Sequence, residues 1–471
     1  MKNTPFIHLL DTPLNNYVFD VNTNQFAAVD RETYDYLNKL LKAEDDEELS
    51  VPESVERQLQ KLKEKGLLSD NRPKTLEHPF TDVLEAKLDS SLEQITLQVT
   101  QQCNFRCSYC AYVPQDFELN RQHSSKKMSY ETAKKAIDFF QKHSRDNHAV
   151  AIGFYGGEPL LAMNLIKRIL PYCEEVLEGK KISYTMTTNG SLLTLDNAEF
   201  LRKYNVPLVI SLDGPPEIHN HSRKFLATGK GTYETIEKNL WAIKRTYPDY
   251  FKMISFNIVV DPRYSMEGIH KTFFESELFK GASIRVTLVD DLYSVEKSVP
   301  TDVYWIGTET RDFKTYMAEL GRYGKAKLSE IDINRMKLRR GNAAVDFKSY
   351  IPLREKEAPG GPCIPGQKRL FVDVGGRFFP CEKIDETSEA MCVGDVERGF
   401  DYERAHDLLN ICKLTPEECR NCWAFRHCTC CVVLCDENGL SPRFKLSHCQ
   451  GIRQTAEEKF MNHLLFKELE R

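Results

Sequence analysis

Through the middle of the chain, short apolar runs alternate with segments whose apolar positions recur every three or four residues. The runs are strand candidates: Ile95–Val99, Ala149–Tyr155, Ile182–Thr187, Pro207–Leu212, Ser255–Val260 and Ser283–Val289. The periodic segments between them are helix candidates: Ser129–Lys142, Ala162–Val176, Asp196–Tyr204, Tyr233–Arg245 and Met266–Glu275. The alternation predicts an α/β fold built on a parallel sheet, closed or half-closed as a partial (β/α)6 TIM-like barrel over residues 93–300. In such barrels functional groups gather where strands end and loops begin.

The flanks follow other patterns. Residues 1–75 read as a small unit of their own. Asn16–Val29 is two strand-like runs around an Asn-Thr-Asn turn, a hairpin signal. Glu32–Leu41 and Val51–Leu68 follow with helical spacing, the second opening near Pro52 and stopping at Gly66. A hairpin with two helices is a winged-helix-like plan, and no helix here clusters Lys and Arg as nucleic-acid binding would require. Residues 76–92 read as a charged linker. Residues 301–355 form a bridging region, with an amphipathic helix near Asp312–Arg322 and a basic one near Ile331–Arg340. In the last segment, 356–471, Leu370–Cys381 reads as a hairpin turning at Gly375-Gly376.

Composition adds a compartment and a chemistry. The 471 residues are 41% hydrophobic and 28% charged, a globular balance, and a net charge of −5 asks for neither nucleic acid nor an anionic membrane. With no signal-like apolar run and no 18-residue apolar stretch, the expected location is cytoplasmic. Fifteen cysteines, eleven of them after residue 360, then argue for metal or cluster ligation rather than disulfides. Cys173, on an apolar helix face, is expected in the core.

Three cysteines stand apart. Cys103, Cys107 and Cys110 occupy one CxxxCxxC loop directly after the first barrel strand. Three thiolates on a short loop can hold three irons of a cubane cluster and leave the fourth open to a small molecule. A zinc site would want a fourth ligand close by; the next cysteine is Cys173, and the nearest histidine is His123. Later strand ends carry further candidates. Gly156-Gly157-Glu158-Pro159 offers close backbone approach and a carboxylate for an ammonium group. Thr187-Thr188-Asn189-Gly190 ends the third strand. Ser211 and Asp213, in Ser-Leu-Asp-Gly-Pro at the end of the fourth, suit a ribose or an amine, and Arg223 could pair a carboxylate bidentately. Each tetrapeptide alone is an ordinary turn. In barrel order behind a three-cysteine loop, they describe a site.

These motifs resemble those of the radical S-adenosylmethionine (SAM) superfamily over residues 93–300. CNFRCSYC, with the aromatic Tyr109 before its last cysteine, is similar to that family's cluster loop, and GGEP, TTNG and SLDGP to its SAM-binding motifs. The resemblance implies a [4Fe–4S] cluster on Cys103, Cys107 and Cys110 with SAM on its open iron. Gly156, Gly157 and Glu158 would hold the SAM amine, and Asn189 would lie in the same site. Ser211 and Asp213 would lie near the ribose, and Arg223 near the carboxylate.

The cysteine-rich end resembles the SPASM extension of peptide-modifying members. Cys363, Gly376 and Cys381 are similar to its opening Cys and GxxxxC hairpin, and Cys419, Cys422 and Cys428 to its CxxCxxxxxC run. Zinc knuckles also use such spacings. The resemblance implies two auxiliary [4Fe–4S] clusters, three in all. Cys419, Cys422, Cys428 and Cys449 would hold one. Cys363 and Cys381 would hold the other, with one more cysteine past Cys428. The usual position for that cysteine is Val432 here, so Cys430, Cys431 and Cys435 remain candidates, with Cys431 favoured. Cys392 and Cys412 would be ligands or spare thiols.

Residues 1–75 resemble the leader-peptide recognition domain of maturases of ribosomally made peptides, which takes up a leader as an added strand. Together the resemblances imply an enzyme of the thioether-forming type. It would abstract hydrogen from an aliphatic carbon of a Cys-rich precursor peptide and bond a cysteine to that carbon. Its electron donor would be a flavodoxin or ferredoxin. Other SPASM chemistries (carbon–carbon cross-linking, epimerisation, sulfatase-type formylglycine formation) stand as alternatives, as does a non-catalytic iron–sulfur or zinc peptide-binding protein.

Overall fold

The computed structural model describes residues 4–43, 49–110, 123–289, 298–329, 331–337, 347 and 352–469. The chain opens with strands β1 (Ile7–Asp11), β2 (Asn16–Asp20) and β3 (Gln25–Val29) and helices α1 (Arg31–Lys42) and α2 (Glu53–Glu64). The short strand β4 (Thr75–Leu76) and helix α3 (Leu84–Ser90) lead to β5 (Gln94–Thr100) and β6 (Phe105–Cys107). Then come α4 (Tyr130–His143), β7 (Ala149–Gly156), α5 (Met163–Val176), β8 (Lys181–Thr188), α6 (Leu195–Lys203) and β9 (Leu208–Ser211). Next are α7 (Pro216–Ser222), β10 (Arg223–Phe225), α8 (Tyr233–Thr246), α9 (Pro248–Phe251), β11 (Ile254–Val260), α10 (Glu267–Glu275) and β12 (Ser283–Leu288). After α11 (Asp302–Glu319) and α12 (331–337) come the strands β13 (Lys356–Glu357), β14 (Leu370–Val372), β15 (Arg377–Phe379), β16 (Gly394–Asp395) and β17 (Gly399–Phe400). Helices α13 (Tyr402–Leu409), α14 (Pro416–Arg420) and α15 (Pro442–Leu469) finish the chain.

These elements form two compact units, neither continuous in sequence. One comprises Met1–Asp82, Met336–Cys363 and His406–Arg471; the other Val83–Arg335 and Ile364–Ala405.

The second unit holds a ten-stranded sheet in the order β12-β11-β9-β8-β7-β5-β14-β15-β16-β17. From β5 to β12 each strand lies parallel beside its predecessor. These strands wind in a single direction, and the sheet is open, with β12 and β17 as its edges. The six expected strands are all present, displaced by a residue or two at their ends. β5 is buried along nearly its whole length, its apolar Ile95, Leu97 and Val99 alternating with buried Thr96, Gln98 and Thr100. Two of the helices between these strands start at a side-chain cap: Ser129 accepts from the Thr132 amide before α4, and Thr194 from the Asn197 amide before α6.

The expected hairpin at 370–381 forms as β14 and β15. It joins the barrel sheet through Leu370, Phe371 and Val372, in parallel register with Ile95, Thr96 and Leu97 of β5. Residues 364–405 therefore lie in the barrel unit. The stretch expected as a linker contains α3, whose Leu84 and Leu88 are buried one turn apart among charged neighbours. His143 Nδ1 lies 3.0 Å from the Leu88 carbonyl. Of the expected basic helix, residues 338–340 lie outside the described residues.

In the first unit the expected hairpin forms as β2 and β3, and β1 adds a third antiparallel strand in the order β1-β2-β3. Alternation gives this sheet two apolar faces. Ile7, Val18 and Val29 pack on Leu37 of α1 and Leu62 of α2. Leu10, Tyr17 and Phe19 pack instead on Phe425 of the cysteine-rich segment and on Phe460 and Leu464 of α15. His8 of β1 stacks on Trp423, ring centroids 3.7 Å apart.

Replacing Phe460 by Ala should cost this core about 3–5 kcal/mol. The check is the urea midpoint of Trp423 fluorescence in a chain whose other two tryptophans, Trp241 and Trp305, are changed to Phe. An unmoved midpoint would contradict the packing described.

Candidate functional site

Two short strands hold the three-cysteine loop. β6 pairs antiparallel with β10, setting Cys107 opposite Arg223 and Phe105 opposite Phe225. At three residues each, the strands carry little pairing energy of their own, so side chains must fix them. Arg223 and Asp213 do so with two hydrogen bonds, Nε to Oδ2 at 2.8 Å and Nη2 to Oδ1 at 3.0 Å, both side chains being buried. Asp213 Oδ2 also accepts from the Tyr109 hydroxyl, and Oδ1 from the Val259 amide of β11 at 3.1 Å. The guanidinium's remaining arm, Nη1, lies 3.9 Å from Cys107 Sγ. One carboxylate thus joins the cysteine loop, the end of β9 and the end of β11.

His219 supports this pair from behind. Its Nδ1 accepts from the Asp213 amide at 3.2 Å, which leaves Nε2–H to donate to Thr232 Oγ1 at 2.9 Å. Thr232 Oγ1 in turn donates to the Arg223 carbonyl at 3.2 Å. Burial pushes the His219 pKa down to about 3, so the ring stays neutral beside the cation.

Gly156 and Gly157 bring the second strand end against the cysteine loop. The Gly157 amide donates to the Thr100 carbonyl at 2.9 Å, and the Glu158 amide to that of Gln102 at 2.8 Å. A Cβ on either glycine would collide with those carbonyls, and Gly156 has a φ of +136°. Glu158 is wholly buried. Its carboxylate accepts from the Leu160 amide at 3.0 Å, Thr188 Oγ1 at 2.5 Å and the Asn189 amide at 2.7 Å. Burial raises its pKa to about 6 against the pull of those donors. Asn189, oriented by Glu158, donates from Nδ2 to Asn104 Oδ1 at 2.9 Å and comes within 4.0 Å of Cys103 Sγ. Ser211 sits half-buried at the end of β9, in register with Asn257 of β11.

The structure therefore brings Cys103, Cys107, Tyr109, Gly156, Gly157, Glu158, Asn189, Asp213 and Arg223 into one connected network. Cys110 joins through its backbone, its amide donating to the Cys107 carbonyl at 3.1 Å, and its Sγ lies 3.8 Å from His123 Nε2. Asp213 and Arg223, which the sequence reading assigns to a ribose and a carboxylate, bond each other. Sequence reasoning missed Asn104 and His219. Asn104 lies inside the motif already marked; His219 gave no signal beyond a histidine after a Pro-Pro turn.

None of the fifteen cysteines, all of them among the described residues, is in a disulfide. Burial pushes the Cys103 thiol up to about 12 and Cys107 higher still; Cys110 raises both further, and Cys103 also raises Cys107. Buried neighbouring thiols ionise when a cation replaces their protons, so the donor set fits an iron–sulfur cluster. Among the described residues no three His, Cys, Asp or Glu side chains converge on a single metal-ion position.

The cysteine-rich segment of the first unit has the same chemistry. Burial pushes Cys428 up to about 12, with Cys430, Cys422 and Cys419 adding to the effect. Cys449 is raised by burial and then by Cys430, Cys419 and Cys422. The four expected ligands thus share one locality and fit a cluster. Cys430 and Cys435 are buried, their sulfurs 3.8 Å apart, and Cys431 is exposed. Gly360 explains itself here: a Cβ would stand 2.9 Å from the Arg426 carbonyl and 3.1 Å from that of Cys428. Cys363 and Cys431 belong to this unit and Cys381 to the other. Cys412 is in the aromatic core, and Cys173 is buried on α5 as expected.

Residues 97–275 match the Radical SAM superfamily. The chain is similar to a radical SAM cyclopropyl synthase of Paramaledivibacter caminithermalis, 29% identical over 187 residues, 37% of this chain and 39% of that protein. An uncharacterised protein of Methanocaldococcus jannaschii is 33% identical over 153 residues, 32% of this chain and 49% of its own length. The chain thus spans less than half of each of these two relatives. Similarity to a cysteine-type anaerobic sulfatase-maturating enzyme of Clostridium perfringens is lower, at 23%, but covers 76% of this chain and 93% of that one. The solved structure of native anSMEcpe with bound AdoMet is similar in fold. Its TM-score is 0.57 at 20% identity, over 80% of this chain and 98% of that one.

Changing Asp213 to Asn leaves the Arg223 charge buried without its carboxylate. The expected cost is about 3–5 kcal/mol, seen as a lower melting temperature, together with reduced iron retention. Ser211→Ala should leave both unchanged. Equal melting and equal iron in the two variants would remove the ion pair from its assigned role.

Proposed function

We propose that the chain is a radical SAM peptide maturase that joins a substrate cysteine to an aliphatic carbon of a precursor peptide as a thioether. The observation that carries this reading is the first unit. Its three-stranded sheet, with β1 and β3 as outer strands, shares one aromatic core with the segment bearing Cys419, Cys422 and Cys428. Such a sheet suits a leader taken up as an added strand, which raises the local concentration of the attached core peptide. The sulfatase-maturating relative aligns over 93% of its own length but only 76% of this chain, so the chain carries material beyond that alignment.

Cys103, Cys107 and Cys110 would hold a [4Fe–4S] cluster, with SAM beside it. Bound there, cluster and SAM supply one-electron chemistry that can remove hydrogen from an unactivated carbon. The chain's own contribution is position. Asn189, held by Glu158, faces Cys103, and Arg223, held by Asp213, faces Cys107; both are donors that favour sulfur as thiolate. Gly156 and Gly157 let the strand end close over the loop. Ser211 stands at the strand end where a ribose hydroxyl would be met. An auxiliary cluster would use Cys419, Cys422, Cys428 and Cys449. The electron donor would be a flavodoxin or ferredoxin.

A second reading is formylglycine formation, favoured by the near-full-length similarity to the sulfatase-maturating enzyme. Anaerobically reconstituted protein, reduced with dithionite and given SAM, is expected to release 5′-deoxyadenosine; Cys103→Ala should release none. With a Cys-rich peptide encoded nearby, the expected product lacks two hydrogens per bridge and one alkylatable thiol per bridge. Two hydrogens lost with every thiol still alkylatable indicates a carbon–carbon bond. Loss of the cysteine sulfur indicates formylglycine, and unchanged mass with altered stereochemistry indicates epimerisation. Any of these three refutes the thioether reading.

A further inference from the structure

Lys445 is 2% exposed, an uncommon place for an ammonium group. It lies in the first turn of α15, one turn before Cys449. Its Nζ donates to the Ile411 carbonyl at 2.9 Å, Thr415 Oγ1 at 2.6 Å and Cys419 Sγ at 3.1 Å. An ammonium has three hydrogens, and these three bonds use them all. Two go to neutral oxygens and none to a carboxylate. Burying a charge without a counter-charge is costly. The one partner able to become negative is the Cys419 sulfur, which is a thiolate when it ligates metal.

We propose that Lys445 is the counter-charge of the iron–sulfur cluster held at Cys419, and that its ammonium raises that cluster's reduction potential. The inference rests on the auxiliary-cluster reading above. A cluster on four thiolates is anionic, and reduction adds one electron, so its charge grows by one. A fixed cation bonded to a ligand sulfur in a water-poor site stabilises the reduced form more than the oxidised form. No proton needs to move, because the lysine is already charged. α15 delivers the ligand Cys449 and the cation Lys445 on one face, four residues apart. Arg453, a further turn along, bonds Cys422. Lys445 is a positioning and potential-setting residue; it does not touch substrate.

The test uses the full chain with Cys103, Cys107 and Cys110 all changed to Ala, reconstituted anaerobically. Only auxiliary clusters then contribute to a dithionite titration read by electron paramagnetic resonance. The expected result is that Lys445→Met moves one midpoint to more negative potential and leaves any other midpoint in place, while Lys445→Arg stays near the parent. Loss of cluster iron in Lys445→Met but not in Lys445→Arg also supports a role for the charge. Unchanged midpoints with full iron in Lys445→Met overturn the proposal. Equal iron loss in both variants overturns it too, since packing rather than charge is then what the site requires. A parent triple variant holding no iron–sulfur cluster refutes the auxiliary-cluster reading itself, an outcome distinct from an unmoved midpoint.

Discussion

The barrel site depends on one buried ion pair. Asp213 and Arg223 are both almost free of solvent, and taking two charges out of water is favourable only if every arm is used. Here it is: the carboxylate accepts from Arg223 twice, from Tyr109 and from the Val259 amide, and the last guanidinium arm turns to Cys107. The arrangement explains how three-residue strands can hold a loop that carries three thiols. β6 and β10 have too few backbone bonds to set the loop alone, while the ion pair ties them to β9 and β11, which lie deep in a parallel sheet. Rigidity is thus borrowed from the barrel.

The first unit solves a different problem with the same economy. A three-stranded sheet of five-residue strands is marginal unless both faces are covered. α1 and α2 cover one face, and the cysteine-rich segment with α15 covers the other. The strands that would receive a peptide and the loop that would receive a cluster therefore share buried atoms. His8 of β1 stacked on Trp423, next to Cys422, is the most direct of these contacts. A change in one is felt by the other through packing, because a close-packed core transmits displacement.

What could be read from the residues follows the same physics. Apolar residues recur at least at every second position in the strands, as Ile95, Leu97 and Val99 do in β5, and all six barrel strands and the helices between them were legible to within a few residues. β1, β6, β10 and α3 were not. Three to seven residues show no period, and the pairing of β6 with β10 depends on partners more than a hundred residues apart. Motif residues were found because glycines and cysteines mark strand ends, but their partners were hidden. Nothing local says that Asp213 and Arg223 would bond each other, or that Glu158 would be spent on Thr188 and Asn189. Lys445, in a segment reading KLSHCQ, passes for a surface lysine until Thr415 and Cys419 close on it.

Glu158 and Lys445 are opposite answers to one difficulty, the cost of an isolated buried charge. Glu158 has three neutral donors and no cation among its bonds, and its pKa rises to about 6, so the protein holds its charge only weakly. Its value is directional: the donors it gathers fix Asn189 beside Cys103. Lys445 has neutral acceptors and a thiol, and its charge is balanced only when that thiol loses its proton. Glu158 and Lys445 are therefore complete as they stand in bond count but not in charge. The missing charge in the first unit is negative, which is what a thiolate at Cys419 would supply.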